Sequence, residues 1–369
     1  MSQDTDVFVV GGGPAGLAAA IAAAHRGFAV TVADGSEPPI DKPCGEGMMP
    51  ETQDALRRLR VELPAGAGWT FRGVRFLHGA RQISAEFPSG QGIGVRRPVL
   101  HELLVRAAER CGVRLLWKAP VLGIETRGIR LTDGVIGTRW IIGADGAASR
   151  MRKWADLDGT VHRAQRAATR RHYRIRPWSG YMEIYWAERS QAYVTPISAD
   201  EICIVIMGDN AQDLKFDLAL AELPELRERL VGAQLASRER GAVTVTHRLN
   251  RVARGNVALV GDASGGVDAI TGQGLRLAFG QAVALAEAMS AGDLSEYQHV
   301  HRALQRRPLW MAQLMVELGR RETVRARLMR VMHDRPELFA RMLAIHMGRA
   351  SSLQIVSTGA HLGWQFISP

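Results

Sequence analysis

Cysteine is scarce in this chain. Cys44, Cys111 and Cys203 are the only three in 369 residues, scattered and odd in number. That argues against a disulfide framework and against a cysteine zinc site, so no metal is expected, and it points to a reducing cytoplasm. Long apolar runs are missing too. Nothing approaches the roughly 18 residues of a membrane span, and residues 15–24 are apolar but short. No basic start or cleavage pattern of a secretory signal is present at the N-terminus. There is no internal repeat and no low-complexity linker. Charge of one sign is short: the net charge is +10. Residues 146–177 carry nine Lys and Arg against Asp156 and Asp158, and residues 301–350 carry eleven Arg against four acids. Such patches attract anions, acidic lipid surfaces or acidic proteins, or are simply solvated. No nucleic-acid reading motif accompanies them, so nucleic acid is not expected as a partner.

What is present begins at Val7. The run Val7–Val10 is apolar, as a buried parallel strand should be. Gly11, Gly13 and Gly16 then spell G-x-G-x-x-G, with Pro14 and Ala15 opening a helix. The first glycine permits the tight turn. The second lets a pyrophosphate approach the backbone, and the third lets helix and strand pack closely. The helix stops near Gly27, and a strand at Val30–Val32 ends at Asp34, about 20 residues past the turn, where an acid can accept from a ribose. This context predicts an adenine dinucleotide, either FAD or NAD.

Further along, the loop 35–50 is rich in proline and glycine and contains Cys44 and Gly45. Its position after a parallel strand predicts that it lies near the cofactor. Helices are expected at Thr52–Arg60 and Pro98–Cys111, with an antiparallel segment over 70–96 between them. Strands are expected at Arg114–Trp117, Leu122–Thr126, Ile129–Leu131 and Trp140–Ile142. A β-rich block over 166–208 holds strand candidates at Arg170–Arg174, Tyr181–Trp186, Ala192–Val194 and Ile202–Met207. A helix near Leu214–Leu235, strands at Ala242–His247 and Val257–Val260, and a helix over Gly272–Met289 follow. The remainder is helical, with capping-box patterns at Ser295/Gln298 and Asp334/Glu337. Its Trp, Met and Leu residues recur at helical spacing, which fits packing against the main body or a basic amphipathic surface for a membrane or lipophilic substrate.

Three separated segments belong together: the glycine turn; Gly143, Asp145, Gly146, Ser149 and Arg152; and Gly261-Asp262 followed by Gly272-Gln273-Gly274. In these, over residues 5–290, the chain resembles the FAD-dependent family of p-hydroxybenzoate hydroxylase-type monooxygenases and geranylgeranyl reductases. Arg97, followed by Leu100 and Leu104, matches an arginine that the family uses near the FAD pyrophosphate. Ala269 stands where many hydroxylases of the family have proline. The Lys-Pro-Cys-Gly-Glu-Gly loop, Glu183–Trp186 and Tyr193–Pro196 resemble a branch of polyketide-, alkylresorcinol- or tryptophan-hydroxylating flavoproteins.

The resemblance implies an α/β fold. A Rossmann-like FAD-binding domain (1–70, 97–155 and 245–291) would be interleaved with an antiparallel substrate domain (71–96 and 156–244), with a C-terminal helical region over 292–369. FAD would be the cofactor, held by Gly11, Gly13, Pro14, Ala15, Gly16, Asp34, Gly45, Arg97, Asp145, Gly146, Gly261, Asp262, Gly272, Gln273 and Gly274. NAD(P)H would be the electron donor, docking without its own domain, since there is only one glycine turn. The leading expectation is a monooxygenase that hydroxylates an aromatic substrate, with lipophilic and peptide-borne aromatics both open, through a flavin C4a-hydroperoxide, with His172 or Tyr185 as base candidates beside Tyr173 and Tyr181. The alternative is an ene-reductase of isoprenoid chains, with Cys44 by the flavin ring. A third is a non-catalytic FAD-binding subunit docking on an acidic partner. The basic C-terminal helices are the expected face for a peripheral membrane or acidic-partner contact.

Overall fold

The computed structural model describes residues 4–209 and 214–367. The strand Thr5–Val10 lies at the centre of an eight-stranded sheet, parallel to Gly134–Gly143 on one side and to Val30–Ala33 on the other. Val257–Leu259 continues the parallel order beyond Gly134–Gly143, and Arg114–Leu116 continues it beyond Val30–Ala33. Val7, Phe8 and Val9 are fully buried, because helices cover both faces of a parallel sheet. The helix Pro14–Ala24 packs on Gly274–Ala291 and on Arg97–Arg110. Its alanines let the helices approach closely. The strands expected at Leu122–Thr126 and Ile129–Leu131 form a hairpin that folds back on the long Gly134–Gly143 strand.

A second sheet runs in the order Gln234–Leu235, Thr160–Arg174, Glu201–Gly208, Ser190–Pro196, Tyr181–Trp186, Gly73–His78, Arg81–Glu86, and Arg240–Leu249 also pairs with Thr160–Arg174. The sequence segment 73–86 thus joins the β-rich block, through a parallel pairing of Gly73–His78 with Tyr181–Trp186. A separate three-stranded sheet, Gly47–Met48, Gly92–Gly94 and Trp69–Phe71, bridges the Cys44 loop to the turn before Arg97.

The central strands of the second sheet, Glu201–Gly208, Ser190–Pro196 and Tyr181–Trp186, are buried on both sides. One face carries Tyr173, Tyr185, Ala192, Val194, Ile202, Ile204 and Ile206 against Phe216, Leu223 and Leu226. The other carries Ile184, Trp186, Tyr193, Val205 and Met207 against the C-terminal helices Leu294–Arg320, Glu322–Asp334 and Pro336–His346. A final helix, Ser352–Ile367, follows.

Three sequence expectations are corrected. The helix expected near Leu214–Leu235 is two short helices, Phe216–Ala221 and Pro224–Arg229, followed by a strand. Pro224 supplies no N–H and disfavours helical geometry at Leu223, so the chain breaks there and restarts. The expected capping box at Ser295 is displaced: Asp293 is the N-cap, accepting from the Ser295 amide, while Gln298 accepts from Val252 N. Asp334 caps nothing, because the next helix starts at Pro336 behind Arg335. Among the described residues, no helix is long and apolar enough to cross a membrane.

Candidate active site

One continuous cavity of about 930 Å³ runs from the glycine turn to the second sheet. Its first end is made by Gly11, Gly13, Pro14, Ala15, Asp34, Asp145 and Gly146. Gly11 has φ +108°, and a Cβ there would lie 2.5 Å from the Ala144 carbonyl oxygen. A Cβ on Gly16 would lie 1.8 Å from the Gly11 oxygen. Gly16 therefore does not line the cavity; it permits the turn. Gly13 differs, since a Cβ there would meet open space. Asp34 lines the cavity, but its two carboxylate oxygens already accept from Gly12 N and Ser36 N, both at 2.7 Å. Gly12 is packed against Trp117, whose ring a Cβ would meet at 2.3 Å.

Asp145 caps the short helix Arg150–Trp154, accepting from Ser149 Oγ at 2.5 Å, Arg150 N at 2.7 Å and Met151 N at 3.0 Å. Its carboxylate shapes the wall of the cavity. Arg152 reaches from that helix to the carbonyls of Ala147 and Ala263. It thereby ties the second expected segment to the third.

In the middle of the cavity lie Lys42, Cys44, Gly45, Arg97, Gly261, Asp262, Gly272 and Gly274. Lys42 Nζ donates to Asp262 Oδ2 at 2.8 Å. Burial pushes the Asp262 carboxyl up, but the Lys42 ammonium, with Arg97 and His247, outweighs it and holds Asp262 below the usual range. Gly272 is left-handed (φ +64°), which suits glycine, and it turns the chain into the helix Gly274–Ala291. Gln273 does not face the cavity; its side chain binds the His346 backbone and Arg276.

The residues present fit FAD. Two helix N-termini without side-chain caps, at Pro14 and Gly274, meet the same cavity. Both carry the positive dipole end that favours a phosphate or a negatively charged ring. Gly13 and Gly274 leave open the space that a Cβ would fill. Among the described residues, Arg97 Nε is buried without a hydrogen-bond partner.

The far end of the cavity is an apolar chamber. The second sheet gives Ile184, Trp186, Tyr193, Val205 and Met207, and the C-terminal helices give Met311, Met315, Leu328, Met329, Met332, Phe339 and Met342. Trp186, Phe76 and Phe339 form an aromatic group with centroid separations of 5.1 and 5.4 Å. The chamber contains few titratable groups. Burial raises the Tyr193 hydroxyl above its ordinary value, and it donates to Gln191 Oε1. Burial lowers His346 to about 4, so its imidazole is neutral near pH 7, its Nε2–H donating to the Thr271 carbonyl.

Of the three catalytic candidates, only Cys44 lies on this cavity. Tyr185 is on the opposite face of its strand, donating to Glu183 Oε2 at 2.8 Å. Burial, and then the Glu183 charge, push its hydroxyl far up. His172 is wholly buried beneath the Cys44 loop, with Nε2 at 2.8 Å from Glu46 Oε2 and Nδ1 at 2.7 Å from Ser237 Oγ. Tyr173 packs on Phe216, and Tyr181 reaches Glu86. Glu46, His172 and Cys203 bring three ligand-type atoms within 4.8 Å of one another. The Arg170 guanidinium stands 3.2 Å from Glu46 Oε1 and would repel a cation there, so the cluster is an ion network rather than a metal site.

The sequence did not point to Lys42 or Glu46 as site residues, and it left the methionines between core packing and a surface for a membrane or lipophilic substrate. Only the Lys-Pro-Cys-Gly-Glu-Gly spacing hinted at the first two.

Comparison with known proteins agrees with this geometry. The profile of the FAD binding domain family matches residues 4–292. The menaquinone reductase of Mycobacterium tuberculosis H37Rv is 27% identical over 355 residues, covering 89% of this chain and 84% of its own length. A digeranylgeranylglycerophospholipid reductase of Methanopyrus kandleri is 29% identical over 301 residues, covering 75% and 78%. The solved structure of a flavin-dependent brominase superposes with a TM-score of 0.79 at 17% identity, covering 99% of this chain and 100% of the brominase. That last likeness is one of fold.

Proposed function

The chain belongs to the FAD binding domain family and is an FAD-dependent oxidoreductase, and from that premise we propose that it reduces carbon–carbon double bonds in a long, unsaturated lipophilic substrate. The observation that carries the reading is the methionine-lined chamber. It joins the cofactor end of the cavity without a charged anchor, which suits a polyene chain. Methionine is flexible and polarizable, so it packs well around kinked, unsaturated chains. Two of the relatives are named as reductases, one of menaquinone and one of a digeranylgeranyl lipid.

Hydroxylation of a phenol would call for a base beside the ring. Tyr185 and His172 are walled off, and His346, lowered to about 4 by burial, is too weak. The reading therefore moves from oxygen transfer to reduction.

When bound and reduced by two electrons, FAD would supply the hydride for one alkene carbon and return to its oxidised form. The other carbon needs a proton, and the Cys44 thiol is the group on the cavity wall to give it, to be reprotonated from solvent. Gly13, Arg97 and Gly274 hold the cofactor's phosphates and ring. The chamber walls orient the chain and keep water out. NAD(P)H is the proposed reductant.

The test starts from enzyme reduced with dithionite under anaerobic conditions, which removes the donor from the question. It is mixed with a menaquinone or a geranylgeranyl lipid. The expected product gains two hydrogens per reduced double bond by mass spectrometry, and reoxidation of the flavin tracks it. Cys44→Ala should retain flavin and its reduction by dithionite but lose product formation by at least about a hundredfold, the scale of a general acid. A product carrying one added oxygen, formed only in air, would overturn reduction in favour of hydroxylation.

A lipid substrate must be drawn from a lipid phase. The helix Ser352–Ile367 contains no charged residue and exposes Leu353 and Val356, while Arg330, Arg335 and Arg341 are exposed on the preceding helices. We propose that this face rests on an anionic membrane surface. Leu353→Glu with Val356→Glu should reduce co-sedimentation with phosphatidylserine-containing vesicles severalfold, and salt should do the same to the parent, since each nearby arginine contributes about 1 kcal/mol. Equal binding to neutral vesicles would argue against it.

A further inference from the structure

Glu46 has no place in the chemistry described so far, yet it is among the most constrained residues in the fold. It is left-handed, at φ +58°, between Gly45 and Gly47. A non-glycine residue adopts that conformation at a cost and persists there only when its surroundings demand it. Its carboxylate is fully buried. One oxygen accepts from the Arg97 amide at 2.9 Å and from Arg170 Nη1 at 3.2 Å; the other lies 2.8 Å from His172 Nε2. A carboxylate here can only accept, so His172 carries its proton on Nε2. Arg170 in turn grips Asp41 with both terminal nitrogens, at 2.9 and 2.8 Å. The loop is therefore fastened at Asp41 and Glu46, on either side of Cys44, to strand residues Arg170 and His172.

The backbone of Glu46 has its own task. Its amide N–H donates to Cys44 Sγ at 3.4 Å, and the Cys44 carbonyl accepts from Cys203 Sγ at 3.7 Å. That contact spans Cys44, Gly45 and the Glu46 amide, so it holds only while this stretch of the loop keeps its place, and the left-handed Glu46 turns its own side chain inward to Arg170 and His172.

We propose that Glu46 is a positioning residue for Cys44: its buried carboxylate, held by the Arg97 amide, Arg170 and His172, anchors the loop so that the Glu46 amide meets the sulfur and the sulfur stays on the cavity wall. The role of Cys44 as proton donor rests on the function proposed above. The placement of the sulfur does not, so the two can fail separately.

The test measures thiol access in the FAD-loaded protein. Iodoacetamide is small enough to enter the cavity; a polyethylene-glycol maleimide is not. Labelling at Cys44 is resolved by peptide mass mapping, with Cys111 as an internal control. In the parent, the bulky reagent should lag the small one strongly at Cys44. In Glu46→Ala that selectivity should collapse by at least about tenfold, the scale of losing charge-assisted hydrogen bonds. Cys111 should not change. Glu46→Gln should retain most of the selectivity. Its amide oxygen still accepts from Arg97 and Arg170, and its NH₂ can donate to His172 once that ring shifts its proton to Nδ1, where Ser237 Oγ can accept it.

In turnover, Glu46→Ala should lower kcat with KM little changed. If Glu46→Ala fails to accumulate, Glu46→Gly replaces it, because glycine adopts the left-handed backbone freely but supplies no latch. Wild-type selectivity in the Ala or Gly variant would overturn the proposal, as would collapse in Gln equal to that in Ala. Wild-type selectivity combined with absent reductase activity in the parent would overturn the function and leave the positioning intact.

Discussion

Replacing Gly13 with valine is expected to give a folded protein that purifies without flavin. A Cβ at Gly13 meets no atom within 4 Å, and the residue lines the cavity at the start of the uncapped helix Pro14–Ala24. The added side chain would therefore enter free space, clash with nothing in the protein, and occupy the approach to the helix N-terminus. That is where a pyrophosphate gains its backbone N–H bonds and the dipole field. Losing about 3 kcal/mol of such contacts corresponds to at least about a hundredfold weaker binding. The ratio of flavin to protein absorbance in the purified variant measures it, with thermal melting of the flavin-free parent as the control for folding. Gly16→Val is the contrasting case. Its Cβ would sit 1.8 Å from the Gly11 carbonyl oxygen, inside the packed core, so that variant should lose the fold as well as the flavin. A Gly13→Val protein with full flavin content would mean that the cofactor does not lie on this turn.

Arg170→Ala should be among the most destabilising single substitutions outside the first sheet. The guanidinium is 1% exposed and holds Asp41 and Glu46 together. Removing it leaves two carboxylates in a low-dielectric site, a loss of about 3–5 kcal/mol by the usual cost of breaking a buried pair. Chemical denaturation at neutral pH reads this directly, and a change under about 1 kcal/mol would contradict the network's place in the fold. The loss should depend on pH. Burial pushes the Asp41 carboxyl up, but its hydrogen bond with Arg170 and the charges of Arg170, Arg240 and His172 outweigh burial and bring it below its ordinary value. A carboxyl with a lowered folded value contributes stability above its unfolded value and loses it as pH falls through the folded one. The gap between parent and Arg170→Ala should therefore narrow on acidification below about pH 4.

The parts of this molecule that were legible in the sequence are the parts built locally. The strand at Val7, the turn at Gly11–Gly16 and the strand ending at Asp34 lie within one short stretch, and each glycine has a single steric reason. Asp262 and Gly274 were legible through the resemblance of their segments to a flavoprotein family, and Arg97 through that resemblance alone; the structure brings all three to one cavity. The second sheet was legible in its strands but not in its faces. Tyr181–Trp186 is buried on both sides, so the alternation that normally separates inside from outside is absent, and Tyr185 could not be told from Trp186. His172 was a plausible base until its partner was seen. That partner, Glu46, is 126 residues away in the chain, and the Lys-Pro-Cys-Gly-Glu-Gly loop that contains it carries no sign of a histidine beneath it. The methionines of 311–342 recur as a packed helix's would. Helical spacing cannot distinguish a side chain that meets another side chain from one that meets a substrate.

The place where the family match ends has a consequence. It covers residues 4–292, yet much of the chamber's wall comes from residues 311–343. That part of the wall is thus made from chain beyond the matched domain. Substitutions among Met311–Met342 can therefore reshape the chamber without touching Gly13, Arg97 or Asp262.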